Sequence, residues 1–243
     1  MHSLILDIGN TNLKVYFFYK GQIVQQQVFT EDLEVIHFLR SQPDSKKITM
    51  CMMATVREVS PKLFDYLNKN FVVKSFNTIK VLPFKMEYKT PGTLGQDRIA
   101  AVAGASVLFP GSNVLIIDAG TAITYDFLSD KSVYYGGTIS PGIGIRFRAL
   151  HTFTGKLPFL DIDMNKSKIY GQTTEDAILS GVQNGILYEV RGVIKSYKRK
   201  HKDIKVVLTG GYSFFFEKFL KFRIFATPDL TAIGLNKILE INV

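Results

Sequence analysis

Two acidic residues at the ends of apolar stretches are the best candidates for chemistry in this sequence. Asp7 follows an apolar run and precedes a Gly-Asn-Thr turn, and Asp118 follows a similar run and precedes Ala-Gly-Thr. A carboxylate at the end of a buried strand can hold a cation, and a nearby glycine lets the backbone approach a ligand without a Cβ in the way. Each stretch therefore indicates a place where a cation and phosphate oxygens could bind.

The two stretches also share their surroundings, because a β-rich run follows each of them at residues 13–19 and 122–128. The chain therefore looks duplicated. Two copies facing one another could hold a nucleoside triphosphate and its Mg²⁺ in a cleft. An ordinary hairpin with a turn-forming Asp or Gly would explain a single copy. Two copies roughly half a chain apart favour nucleotide binding.

The elements that must position these residues form an α/β pattern. Three strands are predicted first, followed by a helix over 31–40, a buried strand around Cys51 and a helix from Pro61 to about 69. The second half begins with the same three-strand order. Because Pro and Gly punctuate residues 109–112, we expect domains at 1–111 and 112–243.

The composition limits the kind of protein that this sequence can form. The 243 residues carry a formal charge of +9 with one cysteine, so an internal disulfide is excluded and a substantial core is possible. No run of 18 apolar residues or signal-peptide pattern occurs, so we expect a cytoplasmic protein with no membrane partner. The basic cluster 195–202 ends a predicted helix, where cations complement the helix dipole. A solvated surface is favoured there, with nucleic acid as the alternative.

Several enzyme classes lack their motifs in this chain. Gly155-Lys156 is followed by Leu157, so no phosphate-binding P-loop is present, and no strand-linked Gly-x-Gly-x-x-Gly occurs. The histidines are scattered without the spacing of zinc ligands, and the nucleophile elbow of the α/β-hydrolases is absent. The sequence therefore argues against P-loop, Rossmann, zinc and α/β-hydrolase chemistry.

Two predicted helix starts carry further polar candidates. The segment 95–98, Gly-Gln-Asp-Arg, opens an Ala-rich helix, where Asp97 could serve as a helix cap. Thr173 and Thr174 open a long helix with an apolar stripe at every third or fourth position, and a Thr before acidic residues is typical of a cap. Gly181 and Gly185 would let a neighbouring subunit approach that stripe closely. The stripe could equally belong to the core.

Taken together, these motifs resemble the acetate kinase, sugar kinase, hsp70 and actin superfamily, and most closely the type III pantothenate kinases. The resemblance is carried by residues 7–11, 95–98, 118–126 and 209–211, in the family's order, and it spans most of the chain. It implies two ribonuclease-H-like (actin-like ATPase) subdomains formed by duplication. It also implies the ATP-dependent phosphorylation of pantothenate to 4'-phosphopantothenate, the first step of coenzyme A biosynthesis.

The resemblance further implies roles for individual residues. Nucleotide binding falls to Asp7, Ile8, Gly9, Asn10, Thr11, Asn12, Leu13, Lys14 and Thr121. Pantothenate binding falls to Tyr88, Gly95, Gln96, Asp97 and Arg98, with Thr174 reaching the substrate of the neighbouring subunit in a homodimer. Asp97 would be the catalytic base. Asp7 would hold Mg²⁺ directly or through water, and Asp118 would help bind a monovalent cation, K⁺ or NH₄⁺.

Two other classes of function stay open from the sequence. A ribonuclease-H-like nuclease would share the fold and suit the positive charge, using acidic residues to bind two metals. A noncatalytic nucleotide-binding regulator would keep both phosphate motifs and lose the base. The Gly-Asn-Thr turn and the duplication argue against the nuclease, and Asp97 within its motif argues against the regulator. We therefore expect ATP, pantothenate and a second copy of the chain as partners, and no nucleic acid.

Overall fold

The computed structural model describes residues 1–9, 11–42, 47–165 and 168–243. The first half contains β1 (His2–Ile8), β2 (Leu13–Tyr19), β3 (Gln22–Phe29), α1 (Asp32–Ser41), β4 (Met50–Thr55), α2 (Pro61–Asn70), β5 (Val72–Lys74), β6 (Lys85–Met86) and α3 (Gln96–Leu108). The second half contains β7 (Val114–Ala119), β8 (Ala122–Leu128), β9 (Val133–Pro141), α4 (Ile143–Thr152), α5 (Thr174–Leu179), α6 (Gly185–Lys200), β10 (Lys205–Thr209), α7 (Ser213–Phe219), β11 (Phe225–Ala226) and α8 (Leu230–Glu240). The predicted order of three strands followed by alternating helix and strand is confirmed in the first half.

Packing divides the chain into two compact units. The first unit comprises Met1–Pro110, Ser132–Tyr134 and Asp229–Val243, and the second comprises Gly111–Lys131 and Tyr135–Pro228. The predicted domains 1–111 and 112–243 describe a duplication. A division by packing does not test a duplication, so those boundaries stay a prediction.

The first unit is built on a five-stranded sheet in the order β3-β2-β1-β4-β5. Its central strand β1 runs antiparallel to β2 and parallel to β4. Leu4 and Leu6 face a core shared with α1 and α2, whereas the Ser3 hydroxyl donates to Asn236 Oδ1 of α8 at 2.5 Å. Because helices cover both faces of the sheet, the sequence of β1 is a continuous apolar run. Asp7 lies at the carboxyl end of this strand.

Helix α3 is held against α8 by the close approach of two glycines. A Cβ on Gly234 would lie 1.8 Å from the Ala100 carbonyl oxygen, and one on Gly104 would lie 2.2 Å from that of Leu230. Any side chain at either position would therefore push the two helices apart. Since α3 begins at Gln96, this packing fixes the helix that carries Asp97.

The second unit repeats the strand arrangement of the first. Its strands lie in the order β11-β10-β7-β8-β9, with β7 antiparallel to β8 and parallel to β10. Asp118 ends β7 as Asp7 ends β1. Each of these aspartates is paired with a residue of the following antiparallel strand, Lys14 for Asp7 and Thr124 for Asp118.

The long helix predicted from Thr174 consists of α5 and α6 joined by a π-helical turn, Ser180–Asn184. The core alternative for its apolar stripe is confirmed, because Tyr197 packs partly buried against the core of the second unit and the other stripe residues are buried in it: Ile178, Val182, Ile186, Val190 and Ile194. Gly181 and Gly185 lie off this stripe, and a Cβ at either would meet open space. Among the described residues, no helix is long and apolar enough to cross a membrane.

Candidate active site

The first phosphate-binding candidate is the turn that joins β1 to β2. The Gly9 N–H donates to the Asn12 carbonyl oxygen at 3.0 Å and closes the turn, while Thr11 and Asn12 are exposed. Asn10 lies outside the described residues. Ile8 and Leu13 place their side chains in the core, so any contact they make with a nucleotide would go through the backbone. Glycine and exposed hydroxyl and amide groups give this turn the chemistry expected of a phosphate site.

The Asp7 carboxylate lies where burial makes its ionised form unfavourable. Burial raises its pKa from 3.8 to about 6; the Lys14 cation works in the opposite direction and the Asp97 charge adds to the rise. The structure therefore brings together the two carboxylates to which the sequence assigned a metal and a catalytic role. Two nearby carboxylates, one of them poorly solvated, form a site that a divalent cation would neutralise. The donor set thus fits Mg²⁺.

The Asp97 segment occupies the start of α3, as predicted. Gly95 is the N-cap residue, and the Asp97 Oδ1 accepts from the Arg98 N–H at 2.8 Å. A Cβ on Gly95 would lie 2.4 Å from that same Oδ1. Gly95 therefore leaves the space that the Asp97 carboxylate occupies. The Gln96 Oε1 accepts from the Thr55 N–H at 3.4 Å and ties the segment to the end of β4.

Tyr88 and Arg98 are brought next to each other. The Arg98 guanidinium is buried and lies 5.9 Å from the centre of the Tyr88 ring, which stacks on Tyr134 at 6.2 Å. A cation on an aromatic face is held in one orientation at modest energetic gain. All the pantothenate-binding candidates of the first unit thus lie on α3 and the segment that precedes it.

The second phosphate-binding candidate follows β7. Its Gly120 N–H donates to the Ala122 carbonyl oxygen at 3.0 Å, two residues ahead, whereas the Gly9 bond reaches three residues ahead, and Thr121 is exposed. Gly210, after β10, has φ +92°, and a Cβ on it would lie 2.4 Å from the Asp118 Oδ1. The Asp118 carboxylate therefore rests against a backbone that only glycine can form. A carboxylate oxygen beside backbone without a Cβ leaves room for a cation.

A network that the sequence did not reveal holds this second turn. The Gly142 N–H donates to the Thr121 carbonyl oxygen at 3.0 Å, and a Cβ on Gly142 would lie 2.4 Å from the same oxygen. The adjacent Pro141 carbonyl accepts from Arg146 Nε at 2.9 Å. Arg146 in turn forms an ion pair with Glu189, which also accepts from the Tyr125 hydroxyl at 2.7 Å.

Electrostatics favour the charged form of Glu189 in this network. Burial raises its pKa, but the hydrogen bonds from Arg146 and Tyr125 outweigh burial and hold the pKa below its ordinary value. Burial, together with the bond to Glu189, raises the pKa of Tyr125 far above its usual range, so Tyr125 stays a donor. Because these residues are far apart in the sequence, the only local signal near them is a glycine-rich turn, with Gly136, Gly137 and Gly142, before α4.

Thr174 lies in the second unit, apart from the other predicted substrate residues in the sequence. The Thr173 hydroxyl accepts from the Asp176 N–H at 3.1 Å and caps α5. Thr174 is therefore not the capping residue of this helix. Thr174 is exposed and lines a groove of about 830 Å³ formed by α4, α5 and the π-helical turn. The part of Thr174 in a substrate site stays a prediction.

Among the described residues, no group of three or more His, Cys, Asp or Glu side chains is arranged to hold a metal. The metal candidates are therefore the Asp7–Asp97 pair and Asp118 alone. These few carboxylates are compatible with a phosphate-bound Mg²⁺ that takes few protein ligands.

Two like units, each with an aspartate at the end of a central strand and a glycine turn, define an actin-like ATPase or sugar kinase fold. A Listeria monocytogenes protein assigned as an N-acetylmannosamine kinase shares this fold, with a TM-score of 0.54, 13% identity and all of both chains covered. A Campylobacter jejuni protein assigned to the Baf family of transcriptional activators has a TM-score of 0.62 and 25% identity over 98% of each chain.

The family follows from the sequence comparisons. The family model for type III pantothenate kinase matches residues 3–196. The type III pantothenate kinase of Christiangramia forsetii is 42% identical over 240 residues, which cover 99% of this chain and 98% of that protein. The chain belongs to the type III pantothenate kinase family. It is an ATP-dependent kinase of pantothenate in coenzyme A biosynthesis, and nothing in these matches favours the nuclease or the regulator.

Asp7→Asn is expected to stabilise the protein at pH 7 while impairing the enzyme. The raised pKa means that the folded state loses stability as the pH rises from 3.8 through about 6, because the buried carboxylate must then ionise. Asn removes that cost, which is about 3 kcal/mol at pH 7 for a shift of about two pKa units. Urea unfolding without metal or nucleotide, at pH 4.5 and pH 7, measures it.

The matched control for this change is Asp65→Asn, which removes an exposed carboxylate on α2. It should leave the free energy of unfolding nearly unchanged at both pH values. The gain from Asp7→Asn should shrink at pH 4.5. A variant no more stable than the parent at pH 7 would show that the Asp7 carboxylate is well solvated.

Gly95→Ala is expected to lower kcat without unfolding the protein. The backbone of Gly95, with φ −57°, suits any residue, but the new Cβ would displace the Asp97 carboxylate. A misplacement near 1 Å can cost roughly 100-fold in rate. Steady-state kinetics with ATP and pantothenate, beside a thermal melt, measures both effects.

Two further variants distinguish displacement of the Asp97 carboxylate from a change in the N-cap of α3. Gly95→Ser restores a favourable N-cap residue but keeps the Cβ, so its kcat should stay low. Gly92→Ala changes a neighbouring glycine whose Cβ would meet nothing within 4 Å, and its kcat should be normal. Normal turnover in Gly95→Ala would mean that Asp97 need not occupy its present position.

Proposed function

We propose that Asp97 is the general base that deprotonates the pantothenate hydroxyl during phosphoryl transfer from ATP. The single observation that carries this proposal is the space that Gly95 leaves for the Asp97 carboxylate, beside the partly buried Asp7. Phosphoryl transfer depends on positioning and charge neutralisation more than on covalent chemistry. An aspartate at a fixed place near a candidate metal ligand suits both needs.

We assign the remaining residues by their surroundings. The turn 9–12 and Thr121 would receive phosphate oxygens through N–H groups and hydroxyls. Arg98, buried against Tyr88, would hold pantothenate through its guanidinium, because that group is fixed by the ring and stays charged at neutral pH. Gln96, tied to β4, would keep the start of α3 in place.

The metal that accompanies ATP is proposed to be Mg²⁺ at Asp7, directly or through water. Mg²⁺ supplies charge neutralisation on the β- and γ-phosphates when bound. The raised pKa of Asp7 supports this role, since a cation offsets the cost of its buried charge. Asp118, resting against Gly210, is proposed to bind K⁺ or NH₄⁺ and to neutralise charge at the second turn.

A homodimer is proposed to be the active unit, with Thr174 completing the substrate site of its neighbour. The groove beside Thr174 supports this, because Ala177 and Gly181 are exposed along it and Phe153, at its edge, is 85% exposed. An apolar surface of this kind is typical of a subunit contact. Small residues on α5 and the π-helical turn would let a second copy come close.

The duplication is proposed to correspond to domains 1–111 and 112–243, because Asp7 and Asp118 share strand position, pairing and glycine turn. The enzyme is proposed to act in the cytoplasm on a small substrate, without nucleic acid or membrane as a partner. Its basic segment 195–202 ends α6, where cations complement the helix dipole.

Asp97→Asn is expected to lower kcat by about 10²–10⁴-fold while ATP binding stays nearly intact, because the amide cannot accept the substrate proton. The amide oxygen can still accept from the Arg98 N–H, so α3 should remain folded. Single-turnover kinetics and calorimetric titration with ATP measure the two effects. A folded variant that binds ATP and turns over at close to the normal rate would assign Asp97 to helix capping alone.

Mixing two inactive variants tests the shared site. If Asp97 of one protomer works with Thr174 of its partner, Asp97→Asn and Thr174→Ala chains should complement each other after subunits exchange. Because half of the random dimers are mixed and each carries one intact site, activity should recover to about a quarter of the parent's.

The control for this experiment is Thr173→Ala, which removes the α5 cap. It should cost about 1 kcal/mol of stability and leave kcat unchanged. Absence of recovery in the mixture, although different affinity tags on the two chains show that mixed dimers have formed, would place both residues in the same protomer's site. A fully active Thr174→Ala variant would remove Thr174 from the site altogether.

A further inference from the structure

A second concave site lies in the second unit, between α6 and the segment 215–222. It has a volume of about 650 Å³, within the usual range for small-molecule sites. None of the residues assigned above to nucleotide, pantothenate or metal lines it. The site therefore needs an explanation of its own.

The floor of this site is apolar and aromatic. Phe215 is fully buried beneath it, and the partly buried rings of Phe219 and Phe222 form its wall with Leu187. Tyr188, 56% exposed, stands at its edge. Aromatic rings on one side of a concave site suit a flat apolar group, which stacks or packs edge-on against them.

The rim of the site is cationic. It carries Arg191, Lys195, Lys218 and Lys221, and the lining residues include no acid. Arg191 donates to the Phe219 carbonyl oxygen at 3.0 Å and Lys218 to that of Met164 at 2.5 Å, so these two are positioned by the backbone. Among the described residues, neither Lys195 nor Lys221 has an ion-pair partner. Four cations, with no acid among the lining residues, attract an anion with more than one charge.

We propose that this site binds an organic phosphate, a molecule with a flat apolar body and a phosphate group. The body would lie on the phenylalanine floor, and the phosphate would meet Lys195 and Lys221 at the rim. Inorganic phosphate lacks the body and a neutral aromatic lacks the charge, so each alone should bind weakly. A polyanion would need an extended track, whereas this site is concave and the size of one small ligand.

The test uses 1-naphthyl phosphate, which has both features. Because the chain has no Trp, the fluorescence anisotropy of the probe can be followed with little protein background. The parent protein should give saturable one-site binding that inorganic phosphate or 1-naphthol alone displaces only poorly. Saturating Mg-ATP and pantothenate should leave the probe bound.

The decisive variants are two double substitutions with the same change in net charge. Lys195→Ala with Lys221→Ala should weaken binding at least tenfold. Lys62→Ala with Lys69→Ala, which removes two exposed cations from α2, should change it less than twofold. Kinase activity should be normal in both, since neither pair belongs to the active site.

Four results would overturn the proposal. The first is no saturable binding at millimolar probe, and the second is equal weakening of binding in the two double variants. The third is displacement of the probe by ATP. The fourth is a loss of probe binding at protein concentrations where light scattering shows that the chain self-associates. The third would place the probe at the active site. The fourth would mean that a second copy of the chain covers this surface.

Discussion

The carboxyl end of strand β1 is the constraint on which the rest of this structure depends. β1 is covered on both faces and paired on both edges, so it places Asp7 where water solvates it poorly. Folding alone would favour an apolar residue there. The Mg²⁺ proposed to bind here would offset that charge, so the cost in stability would be recovered when the metal binds.

Glycine is what allows the carboxylates to sit so close to backbone. Gly95 leaves room for Asp97, Gly210 for Asp118, and Gly142 for the Thr121 turn, and in each case a Cβ would lie about 2.4 Å from an oxygen. Of these, Gly210 also needs its positive φ. The glycines therefore act through the volume they leave empty, which sets the position of groups that a ligand would contact.

The sequence predicted the parts of this structure that depend on local pattern. The strand order of the first half, the placement of Asp7 and Asp118 at strand ends and the start of α3 at Gln96 all follow from apolar runs and turn residues. The Arg146–Glu189–Tyr125 network could not be predicted, because its members are joined only by the fold. Which of two adjacent threonines caps α5 was likewise decided by backbone geometry, and the cap is Thr173.

The duplicated turns have diverged in what surrounds their aspartates. Asp7 is influenced by two charged groups, the Lys14 cation, which lowers its pKa, and the Asp97 carboxylate, which raises it by less. Asp118 lies against Gly210, where the backbone carries no Cβ. The two copies therefore place the same strand-end aspartate in different surroundings, and the proposals of Mg²⁺ at the first copy and K⁺ or NH₄⁺ at the second rest on that difference.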